Sequence, residues 1–228
     1  MTAEKNKAIN QSILLFVWPA LILFLSGNWF WLEGWIFGIW FVVLSLPRII
    51  YLYRKDHELL NERSRKPGTG KQKGWDKYLV FLLAGVFLTW FLIMPLDAER
   101  YAWTNNFPVW LKVLGGILLV ISFFFLYRAY TDNTFLSPLV RIQTERKQQV
   151  ISAGVYGFVR HPMYLGSVLL FIGAPLLFGS KYGIVLGVLM FFIVAVRING
   201  EEKALVKGLD GYGEYKKKVR SRLIPFIW

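Results

Sequence analysis

Six blocks of apolar residues divide the chain: Ser12–Phe30, Gly34–Tyr53, Tyr78–Leu96, Pro108–Tyr127, Met163–Phe178 and Tyr182–Ile198. The first four approach the roughly 20 residues that a helix needs to cross a bilayer. The last two hold 16 and 17 residues and are joined only by Gly179-Ser180-Lys181. They read as a tight helical hairpin, tilted or not crossing fully, with Pro175 inside the first arm. The pattern predicts an all-α, polytopic helical membrane protein with four long spans and this C-terminal hairpin. It divides into a four-span region, 1–127, and a region, 128–228, in which polar residues gather.

Between the blocks lie polar segments of unequal length. Arg54–Lys77 is rich in Lys and Arg, with Pro67-Gly68 and Gly70 as breakers; it reads as a loop at anionic lipid. Asp97–Phe107 is a short loop in which Asp97 and Glu99 balance Arg100. Arg128–Arg160 is the longest segment, and its Asn133–Gln143 portion mixes apolar and polar residues as an interfacial stretch does. The tail from Asn199 is basic and ends on the apolar Leu223–Trp228, which is expected to lie on the bilayer. Gly34-xxx-Gly38 reads as a close helix contact. Lys5 and Lys7 precede an apolar run with no small-residue cleavage site after it, so the run reads as a retained first span.

Charge fixes the expected orientation. The chain has 27 Lys plus Arg and a net charge of +13, yet only Arg100, Lys112 and Lys181 fall on one side of this layout. The other side, with both termini, is then cytoplasmic. Basic residues between apolar blocks are the mark of a membrane face, and no nucleic-acid motif accompanies them. The chain has no cysteine and only two histidines, which excludes disulfides, thiolate catalysis and multi-histidine metal centres. Compactness and the absence of targeting signals point to a bacterial plasma membrane.

The densest polar cluster stands where the longest segment meets the hairpin: Gly154-Val155-Tyr156-Gly157-Phe158-Val159-Arg160-His161-Pro162-Met163-Tyr164-Leu165-Gly166. Pro162 suits the first turn of a helix, whose unpaired N–H groups favour an anion. The hairpin returns the chain to the same face and brings Tyr156, Arg160, His161 and Tyr164 near Arg197, Glu201 and Glu202. Taken singly, each has a bland role. Arg197 can snorkel and pair with Glu201 one turn on, His161 can be a hydrogen-bonded structural residue, and the tyrosines can be interfacial aromatics. Their convergence on one side of one hairpin marks a site.

From about Asn133 to Trp228 the chain resembles the isoprenylcysteine carboxyl methyltransferase and phospholipid methyltransferase superfamily of integral membrane enzymes. Gly154-Val155-Tyr156, Arg160-His161-Pro162-Met163-Tyr164-Leu165-Gly166, Glu201-Glu202 and Tyr212-Gly213-Glu214-Tyr215 carry the resemblance. It implies an S-adenosylmethionine-dependent methyltransferase with the cofactor at the cytoplasmic face. Residue by residue, it nominates Gln143, Tyr156, Arg160, His161, Pro162, Met163, Tyr164 and Glu201 for the cofactor. It nominates Arg197, Glu201 and Glu202 for the chemistry, Arg197 facing the acceptor. Val155 and Gly157 stand where many relatives have proline and arginine. The cofactor's cations suit tyrosine faces and the two glutamates; its carboxylate suits Arg160, His161 or free helix N–H groups.

The expected acceptor is lipophilic and comes from the bilayer. A carboxylate acceptor is already ionised and needs no base, whereas an amine needs a proton acceptor such as Glu201 or Glu202. The lack of a tuned base favours carboxyl O-methylation over phospholipid amine N-methylation. A transporter and a lipid-binding scaffold are the alternatives outside enzymology.

Overall fold

The structure, a computed structural model, describes residues 2–225 and 227–228, with side chains from Lys5 onward. Among the described residues eight α-helices follow one another: α1 Thr2–Ser26, α2 Leu32–Lys55, α3 His57–Arg63, α4 Gly74–Pro95, α5 Val109–Asp132, α6 Pro162–Phe178, α7 Lys181–Gly208 and α8 Tyr212–Lys218. Helices α1, α2, α4, α5 and α7 are long and apolar enough to cross a membrane, and α6 is a shorter apolar helix. Their outward faces carry Phe16, Phe24, Ile39, Val43, Phe81, Phe124, Val185 and Phe192, all exposed. A surface so apolar belongs in lipid. The protein is a polytopic helical membrane protein.

Basic residues cluster at one end of the bundle, where residues 54–77, 128–160 and 199–228 meet. The opposite end carries Arg100, Lys112 and Lys181, and there Lys112 pairs with Glu33 at 2.5 Å. Asp97 does not balance Arg100 in an open loop. It is fully buried and accepts hydrogen bonds from Ser180 Oγ at 2.6 Å and Thr104 Oγ1 at 3.0 Å. Ser180 in turn caps α7 by accepting from Gly183 N at 2.9 Å. The hairpin's turn is thus tied to the end of α4.

The hairpin packs along α5 at the most extensive seam of the bundle. At Gly115 a Cβ would collide with the backbone of Leu177 and Gly173, and at Gly166 it would come within 2.9 Å of Ser122 O. Small residues permit that backbone approach, and Ser122 Oγ donates to Gly166 O across it at 2.6 Å. Gly34 and Gly38 serve the same purpose between α2 and α1, where a Cβ at Gly38 would meet Pro19 at 2.9 Å.

Four expectations change. The second hairpin arm does not stop at Ile198. α7 runs through Asn199-Gly200 and continues to Gly208 as a 28-residue helix, so Glu201 and Glu202 project from a helical extension and not from a tail. The Arg54–Lys77 segment contains α3, capped by Asp56 Oδ1 on Leu59 N at 2.9 Å and anchored by Leu59 and Leu60, both 0% exposed. Residues 133–143 do not form an open surface stretch: Leu139, Val140, Arg141 and Gln143 are buried against the bundle. Of the apolar tail, Phe226 lies outside the described residues. Leu223 enters the core at 0% exposure, and Arg222 stacks over Trp228 at 5.5 Å.

The buried end of α3 carries an electrostatic consequence. Glu62 accepts from Arg141 Nε and Nη2 at 2.9 and 2.8 Å, from Arg65 Nε at 2.6 Å and from Ser137 Oγ at 2.7 Å. Burial alone pushes its carboxyl up, but these donors outweigh it and hold the pKa at about 2, from an ordinary 4.5. A depressed folded-state pKa gives stability that is complete above pH 4.5 and lost as pH falls towards 2. That stability is roughly 3 kcal/mol. Thermal unfolding of detergent-solubilised protein is expected to lose midpoint steeply across that window. Glu62→Gln is expected to start lower at pH 7 and to flatten the acid limb.

Candidate active site

One cleft opens at the basic end, between residues 133–151, the start of α6 and the far end of α7. Its lining includes Gln143, Tyr156, Arg160, His161, Pro162, Met163, Tyr164 and Glu201, together with Tyr212 and Tyr215. All eight side chains nominated for the cofactor therefore share one cavity. Arg197 and Glu202, nominated for the chemistry, are not in its lining.

The approach to α6 is built by a left-handed glycine and a carboxylate. Gly154 has φ +59°, and a Cβ there would collide with the Asp132 carboxylate. Only glycine takes both the conformation and the contact at ease. Asp132 Oδ2 then accepts from Val155 N at 3.0 Å. This seats Tyr156, whose hydroxyl donates to Ala129 O at 3.3 Å and whose carbonyl accepts from Tyr215 Oη at 2.7 Å. Burial pushes the phenols of Tyr156, Tyr212 and Tyr215 above the ordinary tyrosine range. They face the cleft as neutral groups.

Arg160 is nearly buried and fully engaged. Its Nε donates to Glu202 Oε1 at 2.6 Å, and its Nη1 donates to Val219 O and Arg220 O at 2.6 and 2.7 Å. The backbone N–H groups of Arg160 and His161 donate to Ser221 O and Arg222 O, both at 3.0 Å. Residues 219–222 therefore lie across the approach to α6 and take the N–H groups of the two residues before its first turn. Pro162 begins the helix with His161 as its N-cap.

Glu202 is the hub of this clasp. Besides Arg160, it takes Arg222 Nε at 3.0 Å and lies 3.8 Å from Lys216 Nζ. His161 Nε2 lies 3.4 Å from Glu202 Oε1 but makes no hydrogen bond, and buried Tyr212 Oη makes none either. Glu201, one residue earlier, turns into the cleft and accepts from Tyr164 Oη at 2.7 Å. Gln143 is locked by its neighbours: Nε2 donates to Phe135 O at 2.5 Å and Oε1 accepts from Arg146 Nη1 at 2.8 Å.

Arg197 does not pair with Glu201. Its Nε donates to Asp76 Oδ1 at 2.7 Å and its Nη2 to Pro138 O at 2.6 Å, while its Cζ sits 5.8 Å from the centre of the Tyr164 ring. Asp76, absent from the sequence-based site, also accepts from Val140 N at 2.8 Å and Gln72 Nε2 at 2.7 Å. The pair fixes the wall at residues 138–140 from behind. Tyr212 and Tyr215 also line the cleft outside the nominated set, and the Tyr212-Gly213-Glu214-Tyr215 motif is the sequence signal for them.

The lining suits a ligand that is both ionic and flat. Orphaned donors on His161 and Tyr212, the Glu201 carboxylate and aliphatic walls from Leu205, Leu209 and Ile142 match a nucleoside bearing an amino-acid arm. An S-adenosylmethionine-like group therefore fits these residues.

The phospholipid methyltransferase family model matches residues 110–211, the stretch that holds most of the cleft. The protein-S-isoprenylcysteine O-methyltransferase B of Arabidopsis thaliana is 28% identical over 131 residues, covering 57% of this chain and 63% of that protein. The corresponding Saccharomyces cerevisiae enzyme is 33% identical over 118 residues, covering 50% of this chain and 49% of that one. The chain thus spans about half to three-fifths of the length of these relatives. A solved eukaryotic intramembrane Ras methyltransferase, an isoprenylcysteine carboxyl methyltransferase, shares the fold. Its TM-score is 0.55 at 17% identity, across 96% of this chain and 83% of that one. Over residues 110–211 the chain is similar to the phospholipid methyltransferase family, and its fold is similar to that of the isoprenylcysteine carboxyl methyltransferase.

Proposed function

We propose that the cleft is the S-adenosylmethionine site of a membrane methyltransferase that esterifies a lipophilic carboxylate, with the cleft at the cytoplasmic face. The observation that carries this reading is the convergence of Gln143, Tyr156, Arg160 to Tyr164 and Glu201 on one cavity containing two unpartnered buried donors. The charge partition between the two ends supports the orientation. The bound cofactor supplies an electrophilic methyl group. His161 and Tyr212 hold its polar arm, the faces of Tyr156 and Tyr164 and the Glu201 carboxylate attend its cationic groups, and Leu205 and Leu209 cover its flat portion.

A carboxylate acceptor arrives ionised, so the residues have only to align it and exclude water. Arg197 and Glu202 act here as positioning residues, since their partners are Asp76 and the Arg160 clasp. Glu201 remains the group that touches the ligand. The test is binding of S-adenosylhomocysteine to purified protein by calorimetry. His161→Ala and Glu201→Ala are each expected to weaken it by about tenfold or more, the loss of a charge-assisted hydrogen bond. Unchanged affinity in both would remove the site.

A second reading follows from the family model's own description, a phospholipid methyltransferase. An amine acceptor would call on Glu201 to accept a proton. Offering labelled cofactor with an S-prenylated cysteine or with phosphatidylethanolamine separates the two, and label in the carboxylate product is the expected outcome.

A further inference from the structure

Two arginines beside the cleft have no acid to balance them. Arg48 lies near the end of α2 and Arg63 closes α3. The Cζ of each stands 5.1 Å from the centre of the Tyr130 ring of α5. Arg48 Nε is buried without a hydrogen bond. Arg63 Nη1 reaches the Met163 sulfur at 3.7 Å, and the Tyr130 hydroxyl, a neutral group, is hydrogen-bonded by both guanidiniums. The nearby carboxylates are all committed: Glu62 to Arg141 and Arg65, Glu58 to Arg146, Asp132 to Arg128, Glu201 to Tyr164 and Asp56 to the cap of α3. Among the described residues, none pairs with Arg48 or Arg63. Two guanidiniums converging on one buried ring repel each other unless an anion joins them.

The position is adjacent to the cleft, because Met163 lines it. Arg63 is also close enough to Tyr156 to oppose part of the upward push that burial gives that phenol. In the other direction Arg48 and Tyr130 are followed by aromatic rings on the same helices. Trp40 and Phe41 sit about two turns before Arg48 on α2, and Phe123 sits two turns before Tyr130 on α5, on the same faces. Trp40 and Phe123 are 5.7 Å apart and Phe41 and Phe123 6.4 Å apart. A packed aromatic seam thus runs between α2 and α5 towards the pair of cations.

We propose that Arg48 and Arg63, set against Tyr130 beside Met163, hold the oxyanion of the membrane-borne acceptor, a carboxylate on a prenyl or acyl chain. The chain lies along Trp40, Phe41 and Phe123, and the oxygens face the cofactor cavity past Met163. The pair selects an anionic head and disfavours a cationic amine. This assignment rests on the reading of the cleft as a methyl-transfer site.

The test uses the full-length protein in detergent, with an S-prenylated N-acetylcysteine as probe and tryptophan fluorescence as the binding readout. Arg48→Gln and Arg63→Gln are each expected to weaken the probe about tenfold or more. The lysine variants should recover part of the loss, and S-adenosylhomocysteine affinity should stay within about twofold. The carboxamide of the same probe, offered to the unaltered protein, should bind weakly and without dependence on either arginine. That arm holds even if the glutamine variants fold poorly. Inorganic phosphate and phosphatidylglycerol nanodiscs distinguish other sources of oxyanion. If phosphatidylglycerol displaces the probe as well as unlabelled probe does, a lipid-headgroup site replaces the acceptor site. Equal binding of carboxylate and carboxamide, or unchanged affinity in the double glutamine variant, overturns the assignment. Arginine-dependent binding without methyl transfer would instead remove the proposed function and leave this site standing.

Discussion

Asp76→Ala is expected to cost about 3–5 kcal/mol, the penalty for leaving a buried ion pair's partner uncompensated. Asp76 is 0% exposed and Arg197 only 6%, so solvent cannot replace the missing charge. The loss should also reach the cleft, because the same carboxylate holds Val140 N while Arg197 holds Pro138 O. Two readouts follow: a lower unfolding midpoint in detergent and weaker S-adenosylhomocysteine binding. Replacing both partners with apolar residues, as in Asp76→Leu with Arg197→Met, is expected to restore much of the stability, since no charge remains stranded. It should not restore binding, because the Val140 amide and Pro138 carbonyl remain unanchored. If the single and double variants unfold at the same temperature, the pair is not the tie described here.

Glu202→Ala is the second large effect. One carboxylate, 3% exposed, faces Arg160, Arg222, Lys216 and His161. Its removal leaves three cations and an imidazole around a void, with a cost again on the order of 3–5 kcal/mol. Residues 219–222 should loosen first, since Arg222 loses its main anchor. Limited proteolysis at Lys216-Lys217-Lys218 should therefore accelerate well before the bundle unfolds. Glu202→Gln keeps two polar atoms in place but not the charge, and should fall between the wild type and the alanine variant. Proteolysis at the wild-type rate in Glu202→Ala would show that the tail is held by other contacts.

The hairpin and its cleft were legible because their signals are local. Pro162 announces a helix start, Gly179-Ser180 a turn, and Arg160 to Tyr164 with Glu201 a polar cluster that the hairpin must fold together. Long-range pairing was not legible. Arg197 and Asp76 are 121 positions apart, and nothing in the periodicity of either helix names the other; the spacing to Glu201 offered a nearer but unused partner. Helix α3 was hidden because Pro67, Gly68 and Gly70 dominate the character of residues 54–77. Its cap Asp56 and the Leu59-Leu60 pair were the available clue. Helix α7 outran its apolar block because hydropathy marks the membrane's edge, whereas a helix ends only where its backbone is broken or capped.

The strand of residues 219–222 laid over the start of α6 has a consequence for biogenesis. A chain grows from its N-terminus, so the α6–α7 hairpin can enter the membrane before Val219, Ser221 and Arg222 have been translated. At that stage Arg160 has Glu202 but no carbonyls, and the amides of Arg160 and His161 have no acceptors. A nascent chain stalled at this length would already be membrane-inserted yet lack the backbone acceptors that hold the start of α6. The clasp over the start of α6 therefore forms late, after insertion, as a maturation step separate from the formation of the bundle.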